Sequence, residues 1–386
     1  MTFSRFRMRL LKILDATLGY WLCWILGYLQ YLKNPEKSSV SAILRDTPEN
    51  ILVIRPGGMG DMIILVPVLK HLAEKFPSAR IDIICEKRNI EVLRMAGFEK
   101  QALAYDAGAL RLLRHIRSRK YDLAIDTEQF HNLSAIIALL SRAPIRIGFK
   151  INPQRNLLYT HLVNYELDGY EGRQFARLLD PAGIRDFTYR LENSIAPEQA
   201  ALPQHHQEKL KNLLKKGKVI TIYPGSTSTY KQWSIGKFTE LASALISERG
   251  CTVALIGSHS ESDKVNAILE GNPHLKDRII SFAGILTLKE TAGVIQQSSL
   301  FVSGDSGLAH LAIAVGTPTV VVFGPTDPAK WGLGDSRHRI VRNPMPCSPC
   351  FIFGYHKLCR SIECIAGIST ANVLTLCDEL LENTRK

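Results

Sequence analysis

A chain of 386 residues, 46% of them hydrophobic, is long enough for two domains and too apolar to be disordered. Its net charge of +12 implies attraction to something acidic, but it carries no zinc-finger signature, RNP-type aromatic motif or lysine tail; an anionic surface or substrate is therefore expected rather than nucleic acid. Eight cysteines, four of them bunched between Cys347 and Cys364, do not resemble the spread-out bridges of a secreted domain and fit a reducing cytoplasm.

Residues 1–50 stand apart. Arg5, Arg7, Arg9 and Lys12 precede an uncharged apolar stretch from Ala16 to Leu32 that carries Tyr20, Trp21, Trp24, Tyr28 and Tyr31. The stretch is too long and too aromatic for the core of a signal peptide, and no small-residue cleavage site follows it. It is at the short end for crossing a bilayer, and its aromatic content suits a segment lying at headgroup level. Monotopic attachment to a membrane is the expectation, with a hydrophobic helix packed on the protein body as the alternative.

From residue 51, short β-branched runs alternate with helical patterns, as in parallel sheets with crossover helices. The first half has predicted strands at 51–55, 80–86, 121–126 and 145–149. Between the first strand and its helix lies Gly57-Gly58-Met59-Gly60-Asp61. These glycines permit a tight turn and close approach of a ligand, but a dinucleotide fingerprint needs a third glycine where Ile63 stands. Asp61, taken alone, reads as a helix N-cap. Arg111, Arg114 and Arg117 recur on one helix face, then Arg119, Lys120, Arg142, Arg146, Lys150 and Arg155 follow. Such a run is a solvated face or an anion-binding one.

Residues 185–218 are polar, contain Pro197 and Pro203 and turn basic, which predicts a boundary near residue 200 between a domain 51–200 and a domain 201–386. The second half repeats the scheme, with strands at 219–223, 251–257, 278–283, 300–303 and 319–323 and a final helix over 370–385. Two such open sheets are expected to turn the carboxyl ends of their strands toward a shared cleft. After the first strand of this half come Tyr223-Pro224-Gly225-Ser226 and Lys231-Gln232-Trp233. Ser226 and Thr227 offer hydroxyls, Lys231 alone reads as a solvated lysine, and Glu261 occupies a loop where a carboxylate can hold a ribose hydroxyl.

The run Phe301 to Pro328 is the richest in signal. It reads as a buried strand, a turn carrying Asp305 and Ser306, a short helix opened by Gly307 and Leu308, and a second buried strand ending in Gly324-Pro325. The free N–H groups of the helix start and the flanking polar side chains converge where an anion can sit, which implies a phosphorylated ligand. His310 shares a helix face with Ser306, although a lone histidine on an apolar helix reads as core. Thr326 and Asp327 read as turn formers. Further on, Cys347, Cys350, Cys359 and Cys364 have ligand-like spacing, and a structural zinc or iron and free thiols are equal alternatives.

Three ordered blocks, Ile51 to Asp61, Tyr223 to Trp233 and Asp305 to Pro328, resemble glycosyltransferase family 9, the ADP-heptose:lipopolysaccharide heptosyltransferases. Members of that family carry Asp-(Ser/Thr)-Gly-Leu-x-His followed by Phe/Tyr-Gly-Pro-Thr-Asp-Pro. The resemblance extends from residue 51 to about 370 and implies an α/β fold of GT-B type. Two doubly wound Rossmann-like domains would face a cleft, the first taking the acceptor and the second the nucleotide sugar. It further implies that Asp61 is the catalytic base, that Lys231 meets the donor phosphates, and that Asp305, Ser306, Gly307, Leu308 and His310 bind the donor. One branch, the autotransporter heptosyltransferases, is associated with an iron-binding cysteine finger, although the spacing after Cys350 is longer here than in the commoner pattern.

The expected activity is inverting transfer of heptose from ADP-heptose to the inner core of lipopolysaccharide, with no cofactor needed for catalysis. The partners would be an ADP-sugar, an anionic glycolipid and the cytoplasmic face of the inner membrane. The rivals are transfer to another sugar or protein acceptor, a silent nucleotide-sugar-binding scaffold and a nucleotide-sugar epimerase.

Overall fold

The computed structural model describes residues 13–33, 47–196, 202–226, 228–352, 355–356, 359 and 361–383. The chain divides into two compact units, one comprising Met1–Leu167 and Gly172–Tyr189, the other Asp168–Glu171 and Arg190–Lys386.

In the first unit, β1 (Asn50–Ile54), β2 (Arg80–Cys85), β3 (Ala102–Ala104), β4 (Leu123–Asp126), β5 (Ile145–Lys150) and β6 (His161–Asn164) form a sheet ordered β3-β2-β1-β4-β5-β6. Every pairing is parallel. The helices are α1 (Tyr20–Lys33), α2 (Met59–Lys75), α3 (Ile90–Met95), α4 (Ala109–Ser118), α5 (Asn132–Leu140), α6 (Pro153–Asn156) and α7 (Glu171–Arg177), the last belonging to this unit from Gly172 onward. Ile51 to Ile54 are all buried, with no polar alternation, because helices cover both faces of a parallel sheet. One side of the core joins Leu52, Ile54 and Ile84 of the sheet to Leu112 and Ile116 of α4 and Ala135 and Ala138 of α5.

The second unit repeats this plan. After α8 (Gln204–Lys216) come β7 (Val219–Tyr223), α9 (Ile235–Ser247), β8 (Thr252–Leu255), α10 (Ser262–Glu270), β9 (Ile279–Ser281) and α11 (Leu288–Gln296). They are followed by β10 (Leu300–Gly304), α12 (Gly307–Ala314), β11 (Thr319–Phe323), α13 (Pro328–Trp331) and β12 (His338–Arg342). The sheet order is β12-β11-β10-β7-β8-β9, again wholly parallel. A two-residue hairpin pair, β13 (Phe351–Ile352) with β14 (Tyr355–His356), precedes α14 (Glu363–Ala366) and α15 (Thr370–Asn383). The apolar side of α15, Val373, Cys377, Leu380 and Leu381, is part of this unit's own core.

Both sheets have the doubly wound order, in which the chain starts at the centre, builds outward one way and then returns to build the other way. The strand order therefore reverses between β1 and β4 in one unit and between β7 and β10 in the other, and the loops leaving the carboxyl ends of those strands splay apart to leave a crevice. All nine predicted strands are present. Among the described residues, the unforeseen strands of the two large sheets are β3, β6 and β12, which are short or partly exposed and lie at sheet edges, where hydrophobic patterning is weak; the two-residue strands β13 and β14 were unforeseen as well.

The N-terminal stretch forms a π-type turn, Asp15–Gly19, that runs directly into α1. Among the described residues, no helix is long and apolar enough to cross a membrane. The basic leader, Arg5 to Lys12, lies outside the described residues.

Candidate active site

In the first unit, the turn after β1 and the loop after β4 are tied to each other by arginine. Asp61 is the third residue of α2 rather than its N-cap; Gly58 holds that position, and its N–H donates back to Asp61 Oδ2 at 3.1 Å. Arg55, the residue following β1, is buried and brings Nη2 to 3.0 Å from the same Oδ2. Its Nη1 donates to the carbonyl of Thr127 at 2.8 Å and to Gln129 Oε1 at 3.3 Å. Gly57 shares in the bracing, its carbonyl accepting from Asn89 Nδ2 at 2.8 Å; Gly60 lies in the first turn of α2. One carboxylate oxygen of Asp61 is thus held from two directions, while Oδ1 makes no hydrogen bond among the described residues. The side chain is 21% exposed, so a substrate hydroxyl can reach it.

The loop that Arg55 grips is itself fixed from behind. Arg155, fully buried, donates to the carbonyls of Glu128 at 2.6 Å and of Gln129, and it pairs with Asp126 at 3.2 Å. Tyr159 donates its hydroxyl to that Asp126 carboxylate at 2.6 Å. Burial alone would raise the carboxyl of Glu128, but the charge of Arg55, with His131 and Arg155, overcomes it and leaves the group at about 2. Two guanidiniums and two carboxylates therefore form a buried network beneath the switch point in which each carboxylate accepts hydrogen bonds, the condition under which buried charges are tolerated. The sequence singled out only Asp61 and the glycines here. Arg146 and Arg155, read as members of a basic run, are buried and spent on internal hydrogen bonds, Arg146 to the carbonyls of Ala143 and Leu158. Arg111, Arg114 and Arg117 are exposed, as a solvated face requires.

In the second unit, the corresponding loops carry the remaining candidates. Lys231 Nζ lies 2.6 Å from Asp305 Oδ2 and 5.7 Å from the Phe351 ring centre. Lys231 is presented by a loop whose ends are tied by Gln232, which donates to the carbonyl of Pro224 at 2.5 Å and accepts from Lys264 at 2.6 Å. Trp233 anchors that loop: it is buried against Phe238 and donates its indole N–H to the carbonyl of Ile368 at 3.1 Å. Glu261 accepts from the Tyr223 hydroxyl at 2.5 Å and from the N–H and hydroxyl of Ser258, both at 2.8 Å. Its carboxylate lies over Gly225, where a Cβ would sit 1.8 Å from Oε1, so only glycine fits.

Several predicted donor groups are already engaged. Ser306 is the N-cap of α12, its hydroxyl accepting from the N–H of Ala309 at 3.4 Å, with Gly307 and Leu308 in the first turn. Ser226 donates to the carbonyl of Ser228 at 2.9 Å, and Thr227 lies outside the described residues. His310 is buried and lines, with Asp305, a small cavity walled by Phe323, Trp331 and Ile340. Asp327 is the turn former it was read as, capping α13 at 2.9 Å through Ala329 N–H. Buried Thr326 Oγ1 has no hydrogen-bond partner among the described residues.

The expectation of a structural zinc or iron is overturned. Among the described residues, no group of three or more His, Cys, Asp or Glu side chains is placed to hold a metal ion. Cys350, Cys359 and Cys364 do line one small cavity, with Tyr230, Pro325, Phe351 and Ile362, but they are not placed to share an ion. Cys347 is exposed; Cys359 accepts from backbone N–H of Ile362 and Ser361, which lowers its thiol; Cys364 is buried, which raises it. None of the four forms a disulfide among the described residues.

Comparison with known proteins fits this geometry. The family profile described as glycosyltransferase family 9 (heptosyltransferase) matches residues 109–357, well over half of the chain. Lipopolysaccharide heptosyltransferase 3 of Escherichia coli is 28% identical over 289 residues, covering 70% of this chain and 82% of that one. Among solved structures, a family 9 glycosyl transferase from Veillonella parvula superposes with a TM-score of 0.70 at 16% identity, over 89% of this chain and 100% of that chain. The E. coli ADP-heptose lps heptosyltransferase II gives 0.68 at 22% identity, over 87% and 100%.

Proposed function

This chain belongs to glycosyltransferase family 9, and from that membership we propose that it transfers heptose from ADP-heptose to the inner core of lipopolysaccharide with inversion at the anomeric carbon. It is a glycosyltransferase of heptosyltransferase type; the donor, the acceptor and the residue roles are the proposal. The observation that carries it is the pairing of chemistries at the two switch points: a tethered carboxylate with one free oxygen in the first unit, and a lysine-aspartate pair at a helix N-terminus in the second.

In this reading, residues 51–200 take the acceptor and residues 201–386 the nucleotide sugar. Asp61 Oδ1 removes the proton from an acceptor hydroxyl as that oxygen attacks the anomeric carbon and the bond to the diphosphate breaks on the opposite face. Lys231 neutralises the charge that develops on the diphosphate. An ammonium has three donors, so Lys231 can keep Asp305 and still meet a phosphate oxygen. Backbone N–H groups of Gly307 and Leu308, at the start of α12, add donors whose helix dipole favours an anion. Glu261 holds the ribose, and Asp305 and His310 complete the donor site. The enzyme works from the cytoplasmic face of the inner membrane on an anionic glycolipid.

Calorimetry with ADP-heptose, ADP-glucose and UDP-glucose tests the donor. ADP-heptose should bind most tightly, and Lys231→Ala should weaken it; equal affinity for the three would sink the donor assignment.

A further inference from the structure

The buried edge of the N-terminal helix consists of Asp15, Gly19, Cys23 and Gly27, spaced by four along the π-type turn and α1. This edge is fastened to the first unit. Asp15 serves as the missing cap of α5, its carboxylate accepting from the N–H of Asn132 at 3.1 Å and of Leu133 at 2.7 Å, and its own carbonyl accepting from Asn132 Nδ2 at 3.0 Å. A Cβ on Gly19 would stand 3.1 Å from the Asn132 side chain, and one on Gly27 would stand 2.6 Å from that of Leu157, so the helix lies as close as backbone allows. The thiol of Cys23, fully buried, donates to the carbonyl of Asn132.

Beside that narrow edge the helix is uncharged as far as Leu32, and most of its large apolar side chains are open. Trp21 is 64% exposed and Tyr28 61%, with Leu18, Ile25, Tyr31 and Leu32 all exposed by more than half. No charge occurs between Ala16 and Leu32. A surface helix of a soluble body is polar on its outward side; one that is apolar outward expects an apolar medium.

We propose that the outward side of α1 is a lipid-inserting surface, held at a fixed angle to the acceptor unit by the Asp15-Gly19-Cys23-Gly27 edge, and that its partner is an anionic phospholipid leaflet. The inference rests on the glycolipid reading of the acceptor and specifies how the enzyme meets that lipid. A protein partner would cover one stripe of the helix, whereas lipid chains surround it, and the open apolar residues lie on every side except the buried edge. Tyrosine and tryptophan are the side chains that settle at headgroup level. The charge is complementary: α4 packs beside α5 in the same core layer that buries Cys23, and it presents exposed Arg111, Arg114 and Arg117. Because the edge is fastened along its length, the helix lies in the plane of the leaflet.

The test uses the full chain and vesicles of phosphatidylethanolamine and phosphatidylglycerol, with a fraction of the lipid brominated in its acyl chains. Tryptophan fluorescence should be quenched on binding, and the quenching should vanish in a Trp21→Phe, Trp24→Phe variant that still binds. Ile25→Glu with Leu29→Glu should lower vesicle affinity by about tenfold or more, with turnover on a water-soluble acceptor unchanged. Binding without quenching, unaltered affinity of the glutamate variant, or sedimentation showing that these residues are masked by a second copy would each overturn the proposal. The vesicles contain no glycolipid, so binding to them reads this surface alone; vesicle binding beside failure to transfer heptose to any core glycolipid in a separate assay would refute the proposed reaction and leave this surface standing, and transfer without vesicle binding would do the opposite.

Discussion

Arg55→Met removes the guanidinium that links Asp61, Thr127, Gln129 and Glu128 while keeping an unbranched side chain to fill the space. The side chains of Arg55 and Glu128 are 4% and 6% exposed, so the variant leaves a carboxylate buried with backbone N–H donors but without its nearest positive charge. Breaking a buried pair from one side costs about 3 to 5 kcal/mol. Adding Glu128→Gln removes the stranded charge, and the double variant should recover about 1 to 3 kcal/mol relative to the sum of the single losses. Urea unfolding of the four proteins measures this directly. Turnover should fall separately, by about tenfold or more, because Asp61 Oδ2 then keeps only the Gly58 N–H and the carboxylate is no longer aimed. A single variant within about 1 kcal/mol of wild type, or perfect additivity, would refute the claim that Arg55 organises this half of the site.

Asp61→Asn should lower kcat by about a hundredfold or more with ADP-heptose affinity nearly intact, read by single-turnover kinetics beside calorimetry; retained turnover would remove it as the base. Lys231→Ala should raise the dissociation constant for ADP and slow transfer together, since its charge is felt in both the bound donor and the transition state, and unchanged ADP affinity would exclude it from the phosphate site. The carboxyl of Glu128, near 2 in the folded protein against about 4.5 for its ordinary value, contributes stability that is complete above the unfolded value and lost as pH falls toward 2. Unfolding measured down this range should therefore be steeper in wild type than in Glu128→Gln; parallel curves would contradict the assignment.

The fold was legible because a strand of a parallel sheet, buried on both faces, reads as a continuous β-branched run, as Val320-Val321-Val322 does in β11, and because glycine turns punctuate such strands at the ligand-facing end. The site was legible only in its loops. Arg55, Asp126, Glu128 and Arg155 carry the same letters as surface residues, and nothing in local spacing distinguishes a buried guanidinium satisfied by distant carbonyls from a solvated one. The available signal was position: Arg55 directly follows a buried strand and precedes a glycine turn, a place where a charged side chain has little water. The edge of α1 was hidden for the opposite reason, since glycine and cysteine within an apolar run show their spacing only once a neighbouring helix is seen to fill the gap. Ser306 was read as part of the donor-binding helix start, and it is also the N-cap of that helix; the two uses need the same residue at the same place.

Mass spectrometry of the purified enzyme incubated with ADP-heptose and a panel of truncated core glycolipids tests the central claim most directly. One glycolipid of the panel should gain the mass of a single heptose with release of ADP, and the gain should disappear with Asp61→Asn. Hydrolysis of the donor without transfer to any member of the panel, or a mass gain that persists in the Asp61 variant, would contradict it.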